Sequence, residues 1–225
     1  MIKLIGQTAL TFAIGVVAFS TLLILPAWDL GYWQAWVFMA VFLASTSVIG
    51  LYLSLEDPAL LERRKKFGPA AETNPAQRII MTLTIIGCAV VLVFCALDHR
   101  FGWSPTPWFV SVIGNALVAL GLLVQLVVFR ENTYGGSTVE IFDDQQVITT
   151  GLYAQVRHPM YVSVLVMSVG IPLALGSWWG LALITFMVPV LVWRILDEER
   201  LLESDLPGYR EYTDQVRFRL VPHLW

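Results

Sequence analysis

The stretch Gly151-Leu-Tyr153-Ala-Gln-Val-Arg157-His158-Pro159-Met-Tyr161 crowds an arginine, a histidine and two tyrosines onto the edge of an apolar segment. About forty residues on, Arg194 and Asp197-Glu198-Glu199-Arg200 end another apolar segment. The first cluster suits an anion. Pro159 belongs in the first turn of a helix, where its missing N–H costs nothing, with His158 as the expected cap. The free N–H groups and dipole of such a start favour negative charge. Arg157 adds a planar fork matched to a carboxylate or phosphate. Tyr161, four positions from Arg157 and three from His158, shares their face. The second cluster suits a cation or hydroxyls. Adjacent Glu198 and Glu199 point to different faces of a helix, so one can accept hydrogen bonds from a ligand while the other pairs with Arg194 or Arg200. Each cluster alone has a plainer use, as an interfacial anchor or a salt-bridged helix end; their joint occurrence favours a site.

The elements that must position these clusters are membrane helices. The chain of 225 residues is 57% hydrophobic and 14% charged, with a mean hydropathy of +0.69, against roughly a quarter charged in soluble domains. Four uncharged runs, Leu4–Leu25, Trp33–Leu55, Ile79–Leu97 and Trp108–Phe129, are each long enough, at ~1.5 Å per residue, to cross a ~30 Å hydrocarbon core. No barrel-like alternation appears, so the expected fold is all-α: a polytopic membrane helical bundle of four spans, a C-terminal helical hairpin and a cytoplasmic tail. One integral membrane domain, 1–225, is expected, with three spans in 1–107 and both polar clusters in 108–225. The first run exceeds a signal-peptide apolar core and no small-x-small cleavage site precedes Trp28, so it is kept as a span.

The hairpin brings the two clusters together. Tyr161–Leu175 and Trp178–Ile195 are separated by the turn signal Gly176-Ser177. Pro172 and Pro189 lie inside the arms, as membrane helices tolerate. A chain that rises and returns puts Arg157–Tyr161 and Arg194–Glu199 on one face. The Lys and Arg distribution makes that face cytoplasmic, along with both termini, leaving only Arg100 of the fourteen basic residues on the other side. Trp28, Trp33, Trp103 and Trp108 flank the opposite loops as interfacial anchors. The basic run Arg63–Lys66 reads as an orientation signal that attracts anionic headgroups. Gln7, Asn115 and Gln125 read as interhelical hydrogen-bonding groups, and Gly114 and Gly121 as close helix packing. Cys88 and Cys95 share a face within one span without forming a disulfide pair or metal site. His99 and His223 are read as interfacial, no metal is expected, and no basic tract points to nucleic acid.

The spacing Gly151-x-Tyr153-x-x-x-Arg157-His158-Pro159-x-Tyr161, followed by Glu198-Glu199, resembles the signature of the isoprenylcysteine carboxyl methyltransferases and related phospholipid methyltransferases. Glu131-Asn132-Thr133-Tyr134, Gln146-Val147-Ile148-Thr149, Tyr209-x-x-Tyr212 and the tail with Arg217, Arg219 and Pro222 extend the likeness over roughly 110–225. Ser163 stands where many relatives have glycine, and Gly208 abuts Tyr209 instead of preceding the tyrosine pair by three residues. The resemblance implies methyl transfer from S-adenosylmethionine to a lipophilic acceptor, an isoprenylcysteine carboxylate-like group or another lipid, at the cytoplasmic membrane face. It implies that Tyr153, Arg157, His158, Pro159, Tyr161, Glu198 and Glu199 hold the cofactor. Arg194 is the candidate catalytic residue, steering an anionic acceptor. The alternatives are an NADPH-dependent sterol or lipid reductase on a similar scaffold, whose ligand phosphates would demand more basic residues, and a non-catalytic membrane protein.

Overall fold

The computed structural model describes Ile2–Trp225, with side chains from Leu10 onward other than that of Thr11; the expectations for the side chains of Lys3 and Gln7 lie outside the described residues. The chain is helical and the described residues contain no strand. In order come α1 (Ile2–Phe19), a π turn (Ser20–Ile24), α2 (Leu25–Ala27), α3 (Trp33–Glu56), α4 (Pro58–Lys65), α5 (Pro75–Phe101), α6 (Trp108–Glu131), α7 (Pro159–Ala174), α8 (Trp178–Asp205) and α9 (Tyr209–Gln215). Local signals explain the boundaries. Asp57, Asn74 and Ser177 each accept a backbone N–H in the first turn of α4, α5 and α8, the usual work of N-cap side chains. Proline opens α4, α5 and α7.

Among the described residues, four helices are long and apolar enough to cross a membrane: Trp33–Glu56, Pro75–Phe101, Trp108–Glu131 and Trp178–Asp205. The protein is an integral membrane protein with a polytopic helical bundle. The expected first span, Leu4–Leu25, begins among residues whose side chains are not described; its backbone is helical without a break through α1, the π turn and α2. One boundary differs from expectation: α8 does not stop at Ile195 but continues as one 28-residue helix through the acidic cluster. Large apolar side chains such as Trp108 and Phe186 remain outward on the spans, as a lipid solvent permits.

The tightest contact is the seam between α6 and α7. A Cβ at Gly114 would meet the Ala174 backbone nitrogen at 2.0 Å, and one at Gly170 would meet the Gly114 carbonyl at 2.9 Å. Only residues without side chains permit this approach. The Ser163 hydroxyl bridges the seam to Gln125 and donates to the Met160 carbonyl at 2.6 Å, so serine serves there as an interhelical tie. Asn115 instead donates within its own helix, to the Ser111 carbonyl at 2.8 Å. Cys88 and Cys95 differ in surroundings: the first is exposed and the second buried.

The main apolar core, around Leu23, Tyr32, Phe38, Cys95, Val118 and Leu175, fills the half of the bundle near the α7–α8 turn. A separate cluster of Leu206, Tyr209, Tyr212 and Val216 packs the tail against Ile141, Val147 and Leu202. Between that tail and the helix ends runs the 132–150 connection, which has no helix or strand of its own. An irregular segment of this length inside a packed structure is commonly functional.

Candidate active site

The hairpin brings its two polar clusters together. α7 begins at Pro159, and His158 occupies the N-cap position, but its side chain makes no cap hydrogen bond. The imidazole turns toward α8 instead, with Nε2 3.1 Å from Glu199 Oε1. Backbone N–H groups of Arg157 and His158 donate to the carbonyls of Phe218 and Arg219 at 2.9 and 3.0 Å. The C-terminal tail thus lies against the start of α7 and closes the site from one side. Gly151 begins the preceding turn with φ +58°, and a Cβ there would strike the Glu131 carboxylate, which already accepts the Leu152 N–H at 2.9 Å.

Glu199 is the hub of this junction. Its side chain is buried; Arg157 Nη1 lies 3.2 Å from Oε1 and Arg219 Nε 2.7 Å from Oε2. The hydrogen bonds from His158 and Arg219 and the charge of Arg157 compensate the burial of this carboxylate.

Glu198 points the other way, as the helical periodicity requires. It accepts a hydrogen bond from the Tyr161 hydroxyl and lines an open cavity of about 860 Å³ of empty space, mouth included. Tyr153, Arg157, His158, Tyr161 and Arg194 line the same cavity. The two acids therefore divide: Glu198 faces the cavity, while Glu199 sits behind Arg157 and His158 and braces them. Pro159 is buried in the first turn of α7 and shapes the site through the backbone.

Arg194 departs from its expected part. It faces the cavity, yet its guanidinium is committed: Nε donates to the Tyr161 hydroxyl at 3.1 Å, Nη1 to Gln77 at 3.1 Å and Glu72 at 3.3 Å, and Nη2 to the Ser137 carbonyl at 3.0 Å. A cation so paired has little charge left to steer an anionic acceptor. Its geometry is that of a brace for Tyr161. The run Arg63–Lys66 also differs from a uniform headgroup patch. Lys65 and Lys66 are exposed, but Arg63 donates to the Thr133 carbonyl at 2.6 Å and Arg64 to those of Gly135 and Gly136 at 2.9 and 3.3 Å. Arg64 also lies over the Phe129 ring at 4.3 Å. Burial pushes its pKa down to about 10, which leaves it charged at neutral pH. These two arginines fasten the loop that walls the cavity.

That wall includes Tyr134, Val139, Gln146 and Val147, and the tail contributes Tyr209 and Tyr212. Asn132 donates to the Tyr153 hydroxyl at 2.8 Å, and Tyr212 donates to the Tyr153 carbonyl at 2.7 Å. Burial pushes the Tyr212 phenol up to about 12, so it remains a donor. Two residues that line the cavity each hold a buried polar atom without a partner among the described residues: Arg157 its Nε and Tyr209 its hydroxyl. Such atoms call for a ligand or water. The part of Tyr209 was hidden because its tail is placed by tertiary contacts. No sequence signal pointed to Glu72, which belongs to no motif.

Residues 109–205 match the family model described as phospholipid methyltransferase. No curated protein matches the chain significantly. The matched region contains the α6–α7 seam, the cavity loop and the hairpin with both polar clusters, and so the protein carries a phospholipid methyltransferase domain over those residues and is a membrane methyltransferase.

Proposed function

We propose that the protein uses S-adenosylmethionine to methylate a lipophilic acceptor, an isoprenylcysteine carboxylate-like group or another lipid, at the cytoplasmic face of its membrane. The observation that carries the proposal is the distribution of unspent polar groups in the cavity. Arg157 and Arg194 are each paired with a carboxylate, Glu199 and Glu72. Glu198 is left with a tyrosine hydroxyl as its hydrogen-bond partner and His158 Nδ1 at 4.0 Å. A ligand with net positive charge and one carboxylate fits this balance; the phosphates of NADPH would face cations that are already neutralised.

When bound, S-adenosylmethionine supplies a methyl group activated on a sulfonium sulfur. The protein's share is binding and alignment. Arg157 Nε and the Tyr209 hydroxyl are free to donate to a carboxylate, and Glu198 is free to accept from an amino group or ribose hydroxyls. Tyr161, held between Arg194 and Glu198, fixes the rotamer of that acid. Glu199 holds Arg157 and His158 in place, Tyr153 anchors the loop to the tail, and Pro159 sets where α7 starts. Fixed alignment of donor, methyl and acceptor is the main source of rate advantage in such a transfer. Walls from the 132–150 loop and the tail reduce water around the reacting groups. The whole chain 1–225 acts as one integral domain, and its basic residues favour a cytoplasmic site face and cytoplasmic termini.

Calorimetric titration of the detergent-purified protein with S-adenosylmethionine and with NADPH tests this. The expected result is binding of the former, weakened about tenfold or more by Arg157→Ala and by Glu198→Ala through loss of charge-assisted hydrogen bonds. Undiminished affinity in both variants, or preference for NADPH, overturns the proposal.

A further inference from the structure

Glu72 lies well before the matched region 109–205 and outside every sequence motif of the site, yet it is 1% exposed and reaches the cavity wall. Its Oε1 is 3.3 Å from Arg194 Nη1, and its Oε2 accepts the backbone N–H of Val139, a cavity residue, at 3.2 Å. The segment is itself fastened: Arg78 Nε donates to the Glu72 carbonyl at 2.7 Å. Gln77, fully buried, ties Arg194 to Asp197, donating to the latter at 2.6 Å. A continuous polar chain therefore runs from Glu72 through Arg194 and Tyr161 to Glu198.

We propose that Glu72 is a positioning residue of the cofactor site, cancelling the charge of Arg194 so that Glu198 sets the potential felt by a cationic ligand. The proposal rests on the S-adenosylmethionine reading above. Without Glu72 the cavity would present a buried, uncompensated guanidinium, and at the low effective dielectric of such a site a like charge several ångströms away is strongly felt. The methyl donor carries a sulfonium charge; its demethylated product, S-adenosylhomocysteine, has the same amino acid and nucleoside parts without that charge. The ratio of the two affinities reads the electrostatics directly, and a merely structural loss would move both together.

The experiment is calorimetry of both ligands on the full-length protein in detergent, wild type and variants. Glu72→Gln keeps the shape and removes one charge; S-adenosylmethionine should weaken about tenfold relative to S-adenosylhomocysteine. Arg194→Gln should shift the ratio in the opposite direction. The double variant, with no charge left unpaired by either change, should return to the wild-type ratio and keeps the test decisive where a single variant folds poorly. A wild-type ratio in Glu72→Gln, or a shift that the double variant fails to reverse, overturns this role for Glu72 alone. Failure of the wild type to bind either ligand overturns the cofactor reading itself.

Discussion

Both ends of the α7–α8 hairpin are tied by a buried carboxylate, with opposite choices of partner. At the turn, Asp98 on α5 accepts from the hydroxyls of Ser104, at 2.6 Å, and Ser177. Ser177 in turn accepts the Gly180 N–H at 2.8 Å, and Tyr32 donates to the Leu175 carbonyl at 2.7 Å. At the open end, Glu199 gathers Arg157, His158 and Arg219. Hydroxyl donors can fix a turn without importing cations. The open end needs cations and donors for a charged ligand, and it controls them by pairing the two arginines that line the cavity with buried acids. What a ligand then meets is the remainder, Glu198.

The contrast can be broken at its stronger end first. Glu199→Ala leaves Arg157 uncompensated in a buried position, and the expected loss of stability is about 3–5 kcal/mol, measurable as the change in unfolding free energy in detergent together with release of the tail to protease. A loss of less than about 1 kcal/mol would mean that Arg219 and the tail are held by their backbone contacts alone.

The turn end should respond less. Asp98→Asn keeps one acceptor oxygen for the two hydroxyls, and the expected loss is about 1–2 kcal/mol with unchanged affinity for S-adenosylmethionine. A drop in ligand affinity without a stability loss would show that the two ends are coupled and that the comparison is wrong.

Much of the scaffold was legible because membrane helices obey one-dimensional rules. Trp33–Leu55, Ile79–Leu97 and Trp108–Phe129 became spans of nearly the expected extent, and Gly176-Ser177 became the hairpin turn that brings Arg157 and Glu198 together. The α8 boundary was missed because charged residues end an apolar stretch without ending a helix. Gly114 indicated a close contact but not that Ala174 and Gly170 would be across from it.

The sequence by itself determined that the chain lives in a membrane, that a helix starts at Pro159, and that Glu198 and Glu199 face different ways. Apolar length, a missing N–H and the 3.6-residue period are local properties. Only the tertiary structure decided which acid faces the cavity, that Arg63 and Arg64 grip its wall, and that Arg194 is matched by Glu72, 122 residues earlier. Those pairings depend on which helix ends meet after packing. A buried charge takes the partner that the fold brings to it.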